Sequence, residues 1–225
     1  MKKIIFKLYH HPIVSFLFPT VVFCLKKELA DCETVLDLGC GPSSPIQYCK
    51  NIKYSVGVEL FDKYLEETKK KKIHNKYIKK NILDLDFAEN SFDAVVLIEV
   101  LEHLTPEVGK KIIKSASKWA KKKVIITSPN GFVEQKAVDN NPWQKHLSGW
   151  DYQKMRSMGF KCHGLAGLKF LRQEVENETM GDDLTSSIRL KPRLFWFFIA
   201  SLSQAMVYLF PKLAFELFSV ANVEK

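Results

Sequence analysis

Arginine is scarce in this chain. Of its 34 Lys and Arg residues, only Arg156, Arg172, Arg189 and Arg193 are arginine. A formal net charge of +9 suggests a polyanionic partner. Arginine, however, is the bidentate reader of phosphate and guanine, so no specific nucleic-acid partner is expected. The lysines concentrate in "KKKKIHNKYIKK" (69–80) and "KSASKWAKKK" (114–123). These read as solvated helix ends, with attraction to an anionic membrane surface as a second option.

Paired cysteines are also missing. The five, Cys24, Cys32, Cys40, Cys49 and Cys162, are odd in number and form no C-x-x-C. That excludes a disulfide framework or zinc-thiolate cluster and predicts a reducing, cytoplasmic compartment. No ligand cluster is evident, and no metal is expected. No apolar run reaches the ~20 residues of a spanning helix. The longest, "LFWFFIASLSQAMVYLF" (194–210), contains Ser201, Ser203 and Gln204 and stops at Pro211. It predicts a buried or interfacial helix. The N-terminus "MKKIIFKLYHHPIVSFLFPTVVFCL" starts like a signal peptide, but Lys7, His10, His11, Pro12 and Pro19 interrupt it and no small-x-small site follows. There is no internal repeat and no low-complexity linker.

What remains suits one globular domain: 225 residues, 46% hydrophobic. Short apolar runs alternate with helical patterns. Strands are predicted at 34–38, 54–60, 77–82, 92–100 and 123–128. Helices are predicted over "SPIQYCKN", "FDKYLEETKKKK", "PEVGKKIIKSASKWAKK", with Thr105 as N-cap and Pro106 first, and "GWDYQKMRSM", capped by Ser148 and ended by Gly159. In the third, Val108, Ile112, Ile113, Ala116 and Ala120 share a face. Strands alternating with helices imply parallel pairing through right-handed crossovers. The expected fold is α/β: a doubly wound, Rossmann-like sheet binding ligands at the carboxyl ends of its strands.

The chemistry sits at those ends. "LDLGCGPSS" places Gly39 and Gly41 directly after a strand. It lacks the third glycine of G-x-G-x-x-G and the G-K-[ST] of a P-loop, so a pyrophosphate site is not expected. Glu59 ends the next strand, 22 residues after Asp37, where a carboxylate can accept hydrogen bonds from both hydroxyls of a ribose. The bland alternative is a surface glutamate at a helix start.

"VLDLGCGPS", "VGVEL", "NILDLDF", "SFDAVVLIEVLEHL" and "ITSPNG" resemble, in order and spacing, class I S-adenosylmethionine-dependent methyltransferases of the small-molecule and lipid branch. The resemblance covers residues 33–164 and departs at Ser43, where many members have glycine. It implies S-adenosylmethionine as cofactor and a seven-stranded, mostly parallel sheet. It implies that Asp37, Gly39, Cys40 and Gly41 line the methionine part, that Glu59 holds the ribose, and that Leu60 and Ile82 pack near the adenine. Asn81 would contact the adenine amino group, and Glu99 and Val100 would face the sulfonium. Glu102 and His103 read as the start of a helix. The loop "SPNGFVEQKAVDNNPWQKHLSGW" is long, and His146 within it resembles a histidine found there in related enzymes. It is either the catalytic base, or a group positioning the acceptor, or a residue that caps and packs the loop.

The domain is read as an N-terminal helical cap (1–30), a cofactor core (33–164), an apolar helical insertion (165–212) and a last strand (213–225). The sixth strand is expected at 159–164. The insertion reads equally as a lid packing with the N-terminal helix over the substrate or as a membrane contact, with Arg189, Lys191 and Arg193 ahead of its helix. The acceptor is expected to be small, hydrophobic or lipid- or glycan-linked, with O-methylation favoured and the enzyme peripheral to the inner membrane face. The rivals are a non-catalytic cofactor-binding membrane protein and an RNA or protein methyltransferase. The sequence carries no signal for oligomeric state.

Overall fold

The computed structural model describes residues 18–173 and 185–223. The first part of the 1–30 cap and residues 174–184 of the insertion lie outside that range. The elements are α1 (Val21–Glu28), β1 (Thr34–Leu38), β2 (Tyr54–Glu59), α2 (Asp62–Lys71), β3 (Lys76–Lys79), β4 (Phe92–Ile98), α3 (Pro106–Trp119), β5 (Ala120–Pro129), α4 (Tyr152–Ser157), β6 (Lys161–Leu168), α5 (Arg193–Leu202), α6 (Gln204–Leu209) and β7 (Ala214–Asn222).

The strands form one sheet in the order β3-β2-β1-β4-β5-β7-β6. β1 to β5 are parallel, and β7 runs antiparallel to both β5 and β6. This is the expected doubly wound, mostly parallel seven-stranded fold. Its apolar runs are continuous rather than alternating because both faces are covered. Leu36, Leu38, Val56, Val58, Val95 and Leu97 pack on one side with Ile112, Ala116 and Trp119 of α3. Val35, Ala94, Val96 and Ile125 pack on the other with Cys24, Leu25 and Leu29. Strand order reverses between β1 and β4, the switch point where such sheets bind ligands. All five cysteines are free and buried.

Several local expectations are corrected. "SPIQYCKN" forms only a 3-10 turn, Pro45–Tyr48, with Ser44 Oγ accepting from the Ile46 N–H. α3 stops at Trp119, because Ala120 already pairs with Phe92 as the first residue of β5. On its inner face Gly109 is buried instead of Val108. α4 is capped by Asp151, whose Oδ1 accepts from the Lys154 N–H. Ser148 faces away, donating to the Leu101 carbonyl. β6 runs on to Leu168. The 194–210 segment is two helices that break at Ser203, whose hydroxyl donates to the Ala200 carbonyl and accepts from the Leu168 N–H.

The described part of the insertion packs on β6, at the edge of the sheet. Gly164 permits this, because a Cβ there would lie 2.2 Å from the Val207 carbonyl oxygen. Tyr208 of α6 stacks on His163 and packs into the cluster that holds Cys24 of α1. Asn130, just past β5, fastens the segment after α6: its side-chain amide donates to the carbonyls of Pro211, Lys212 and Ala214 and its Oδ1 accepts from the Tyr152 N–H. Asn130→Ala removes the shared donor of three carbonyls. It is expected to cost about 2 kcal/mol, read as a melting temperature lower by roughly 4–8 °C.

Candidate functional site

The first turn is made by Gly39 and Gly41, with φ of 68° and 56°. This is the left-handed region that glycine enters without penalty. The two differ in surroundings. A Cβ on Gly39 would meet Val100 Cγ2 at 2.8 Å, whereas one on Gly41 would meet nothing within 4 Å. The turn is therefore clamped to the loop after β4 at one glycine and open at the other. Cys40 between them contributes backbone only: its N–H donates to the Val58 carbonyl, and its buried Sγ lies under the turn near Gly57. Asp37 is sealed too, 1% exposed, with Oδ2 3.3 Å from His74 Nε2. It braces the turn from below.

Glu59 couples the first two strand ends. Its Oε2 accepts from the Gly41 N–H at 3.0 Å and its Oε1 from the Phe61 N–H at 2.8 Å. Burial raises its carboxyl above the ordinary value, and those N–H groups pull it part of the way back. Leu60 and Ile82 are half-buried. Asn81 caps a short 3-10 turn, its Oδ1 accepting from the Leu83 N–H at 3.0 Å. Its side-chain amide group is left for another partner.

The loop after β4 is the most constrained. Glu99 has φ of 53°, a strained conformation for a residue with a Cβ. Thr127 of β5 holds it there: the Glu99 N–H donates to Thr127, whose hydroxyl donates back to Glu99 Oε1 at 2.7 Å. Val100, two residues before Glu102, is buried against Gly39.

The long loop after β5 closes over this region. The Glu102 carbonyl accepts from the N–H groups of Leu147 and Ser148. Farther back, Asp139 accepts from the Tyr64 hydroxyl at 2.8 Å and lies 3.6 Å from Lys63 Nζ. The loop therefore reaches from the end of β4 to α2. Since β1 lies between β4 and β2, it crosses the β1/β4 switch point. It exposes Phe132, Trp143 and Leu147.

This crossing brings His146 onto His103, with ring centroids 4.9 Å apart. Ligand atoms of Glu102, His103 and His146 lie within 4.8 Å of one another. His146 is buried, with Nδ1 2.7 Å from the Val133 carbonyl oxygen, and His103 Nδ1 is 3.3 Å from that of Lys145. A carbonyl only accepts, so each Nδ1 carries the hydrogen and each Nε2 the lone pair. Burial, and then the neighbouring His146, pushes His103 down to about 4; burial also lowers His146. Both rings are neutral near pH 7. Glu102 is sealed, with no N–H or hydroxyl of the described residues donating to its Oε2 and the Glu99 carboxyl beside it. Burial, and then the charge of Glu99, pushes its carboxyl well up.

Glu102 and His103 do lie in a short 3-10 helix, Leu101–His103, as expected of a helix entry; what the linear pattern did not bring together is their grouping with His146 as potential ligands. The available signal was an adjacent Glu-His pair after β4 and a lone histidine in the long loop after β5, at the same end of the sheet.

Residues 36–127 match the protein family described as a methyltransferase domain. No curated protein matches the chain in sequence. Among solved structures, the chain is similar to the methyltransferase domain of bacterial CtHen1-C, at 17% identity over 91% of this chain and 97% of that one, with a TM-score of 0.54. An S-adenosylmethionine-dependent methyltransferase from Archaeoglobus fulgidus is 17% identical over 93% and 98%, with a TM-score of 0.51. The plantazolicin methyltransferase BpumL, in complex with S-adenosylhomocysteine, is 9% identical over 100% and 90%, with a TM-score of 0.52.

Proposed function

We propose that this chain, a class I S-adenosylmethionine-dependent methyltransferase, methylates a hydroxyl on a small, hydrophobic or lipid- or glycan-linked acceptor. The cofactor suits the residues present. The turn is open at Gly41 and the Glu59 carboxylate stands at the end of β2, which together accommodate an amino-acid tail and a ribose without phosphates. When bound, it supplies a methyl group already electrophilic on its sulfonium. The protein's part is to hold the acceptor in line and keep water out. The loop carrying Phe132, Trp143 and Leu147 is suited to the second task.

The acceptor class rests on one observation, the outer face of α5 and α6. Leu194 (71% exposed), Phe195, Phe198, Leu202, Leu209 (72% exposed) and Phe210 leave a large apolar surface in water, with Lys191, Arg193 and Lys212 exposed beside it. The mixture of exposed apolar and basic side chains suits an anionic lipid interface. Among the described residues no helix is long and apolar enough to cross a membrane. We read the contact as peripheral, and as cytoplasmic because all five thiols are free. His146 carries the choice of oxygen: a buried neutral imidazole can take or orient a hydroxyl proton.

Transfer of labelled methyl from S-adenosylmethionine into a membrane-containing lysate, followed by fractionation, tests this reading. Label is expected in the lipid fraction. His146→Ala is expected to lower its rate about 100-fold with cofactor affinity retained. Label confined to protein or RNA would overturn the acceptor assignment.

A further inference from the structure

We propose that Glu102, His103 and His146 form a binding site for one divalent transition-metal ion, beside the loop that follows β4. Four features of the cluster converge on this. First, the donor set is right. Two imidazoles and a carboxylate are the ligands that zinc and its first-row neighbours accept, with further positions left open. Second, the rings are already oriented. A metal-bound histidine commonly donates its other N–H to a backbone carbonyl or carboxylate, which fixes tautomer and orientation. Here both histidines do so, to Lys145 and Val133.

Third, Glu102 is buried with no N–H or hydroxyl of the described residues donating to its Oε2, and its side chain meets a second acid, Glu99. Two acids in contact satisfy each other only by sharing a proton; a cation in place of that proton satisfies both. Fourth, no thiol competes at the site: all five cysteines lie among the described residues and are buried elsewhere in the fold. The ligand atoms, up to 4.8 Å apart, stand wider than the roughly 3–3.5 Å between neighbours on one ion with bonds near 2.1 Å. Binding requires the three side chains to close that gap. Access exists, since His103 is only partly buried and Glu99 is open to solvent.

Val100, two residues before Glu102, packs on Gly39. The ion would sit on residues next to the one that meets the cofactor turn, and an open position on it could take an acceptor oxygen. The His146 Nε2 lone pair would then be on the ion, so the ion and not the imidazole would activate the hydroxyl. That use of the ion rests on the hydroxyl-acceptor reading above, with the ion in the base's place; binding of the ion does not.

The test uses full-length protein, stripped with a chelator and titrated calorimetrically with Zn²⁺ and with Mn²⁺. One ion per chain is expected. His103→Ala, His146→Ala and Glu102→Gln are each expected to weaken binding about 10- to 100-fold or more, and the ion is expected to raise the melting temperature of the wild type but not of the double histidine variant. S-adenosylmethionine binding, measured on each variant, verifies folding. No uptake of either ion, as when Glu99 and Glu102 simply share a proton, would overturn the proposal. So would uptake that persists unchanged in the folded double variant. Label in lipid without ion uptake sinks the site and leaves the acceptor reading standing; ion uptake with label in protein or RNA does the reverse.

Discussion

Glu59→Ala is expected to weaken S-adenosylmethionine binding about 1000-fold, because two hydrogen bonds to a charged acceptor contribute roughly 2 kcal/mol each. The ribose offers two hydroxyls, and the carboxylate at the end of β2 keeps acceptor capacity beyond the N–H groups of Gly41 and Phe61 that it already holds. The loss has a second component. With the carboxylate gone, the Gly41 N–H loses its partner, and the turn after β1 is no longer tied to the turn after β2. Glu59→Gln separates the two effects. An amide keeps one acceptor and can hold one of the N–H groups, so the turn stays closer to its place. It presents only one acceptor and no charge to the ribose. Calorimetric titration is expected to rank affinities wild type, Gln, Ala. Equal affinities for all three would show that Glu59 does not touch the ribose. A large fall in melting temperature for Ala alone would assign the residue to the turn.

The largest effect on stability is expected at Trp150. It is fully buried and lies against Gly109, where a Cβ would meet its Cζ2 at 2.3 Å. Its Nε1 donates to the Leu101 carbonyl at 3.0 Å and to Ser148 Oγ at 2.8 Å, and Lys154 Nζ sits 3.8 Å from the ring centroid. Trp150→Ala opens a cavity between α3, α4 and the loop after β4, at a cost of about 3–5 kcal/mol. The melting temperature is expected to drop by roughly 10 °C or more. Trp150→Phe keeps most of the volume and loses the two hydrogen bonds, for a smaller loss of about 1–2 kcal/mol. Since Leu101 precedes Glu102, and Ser148 follows His146 by two residues, both variants are expected to loosen the Glu102, His103 and His146 cluster. A Phe variant with wild-type stability would mean the indole N–H holds nothing in place.

These two residues mark how far a linear reading reaches. Glu59 was legible because its signal is local: a strand, a glycine turn, a second strand and an acid at its end. The sheet was legible for the same reason, since the continuous apolar runs of β1, β2, β4 and β5 need covering on both faces. The Glu102, His103 and His146 cluster was not. Its histidines are 43 residues apart, and they are joined by backbone bonds from the Glu102 carbonyl to Leu147 and Ser148, which no side-chain pattern reports. Ser148 illustrates the same limit. By composition it is a helix cap, but the Trp150 indole and the Leu101 carbonyl claim its hydroxyl, leaving the cap to Asp151. The 194–210 segment looked like one helix because its apolar character is unbroken. It divides at Ser203 because β6 requires that hydroxyl for the Leu168 N–H.

The loop after β5 is fastened at both sides of the switch point, to the Glu102 carbonyl on one and to Tyr64 and Lys63 on the other. A cofactor and its demethylated product differ by one carbon, so both must pass the same barrier. Exchange between turnovers is expected to loosen those anchors, which would make the Tyr64–Asp139 bond a timing element of the cycle.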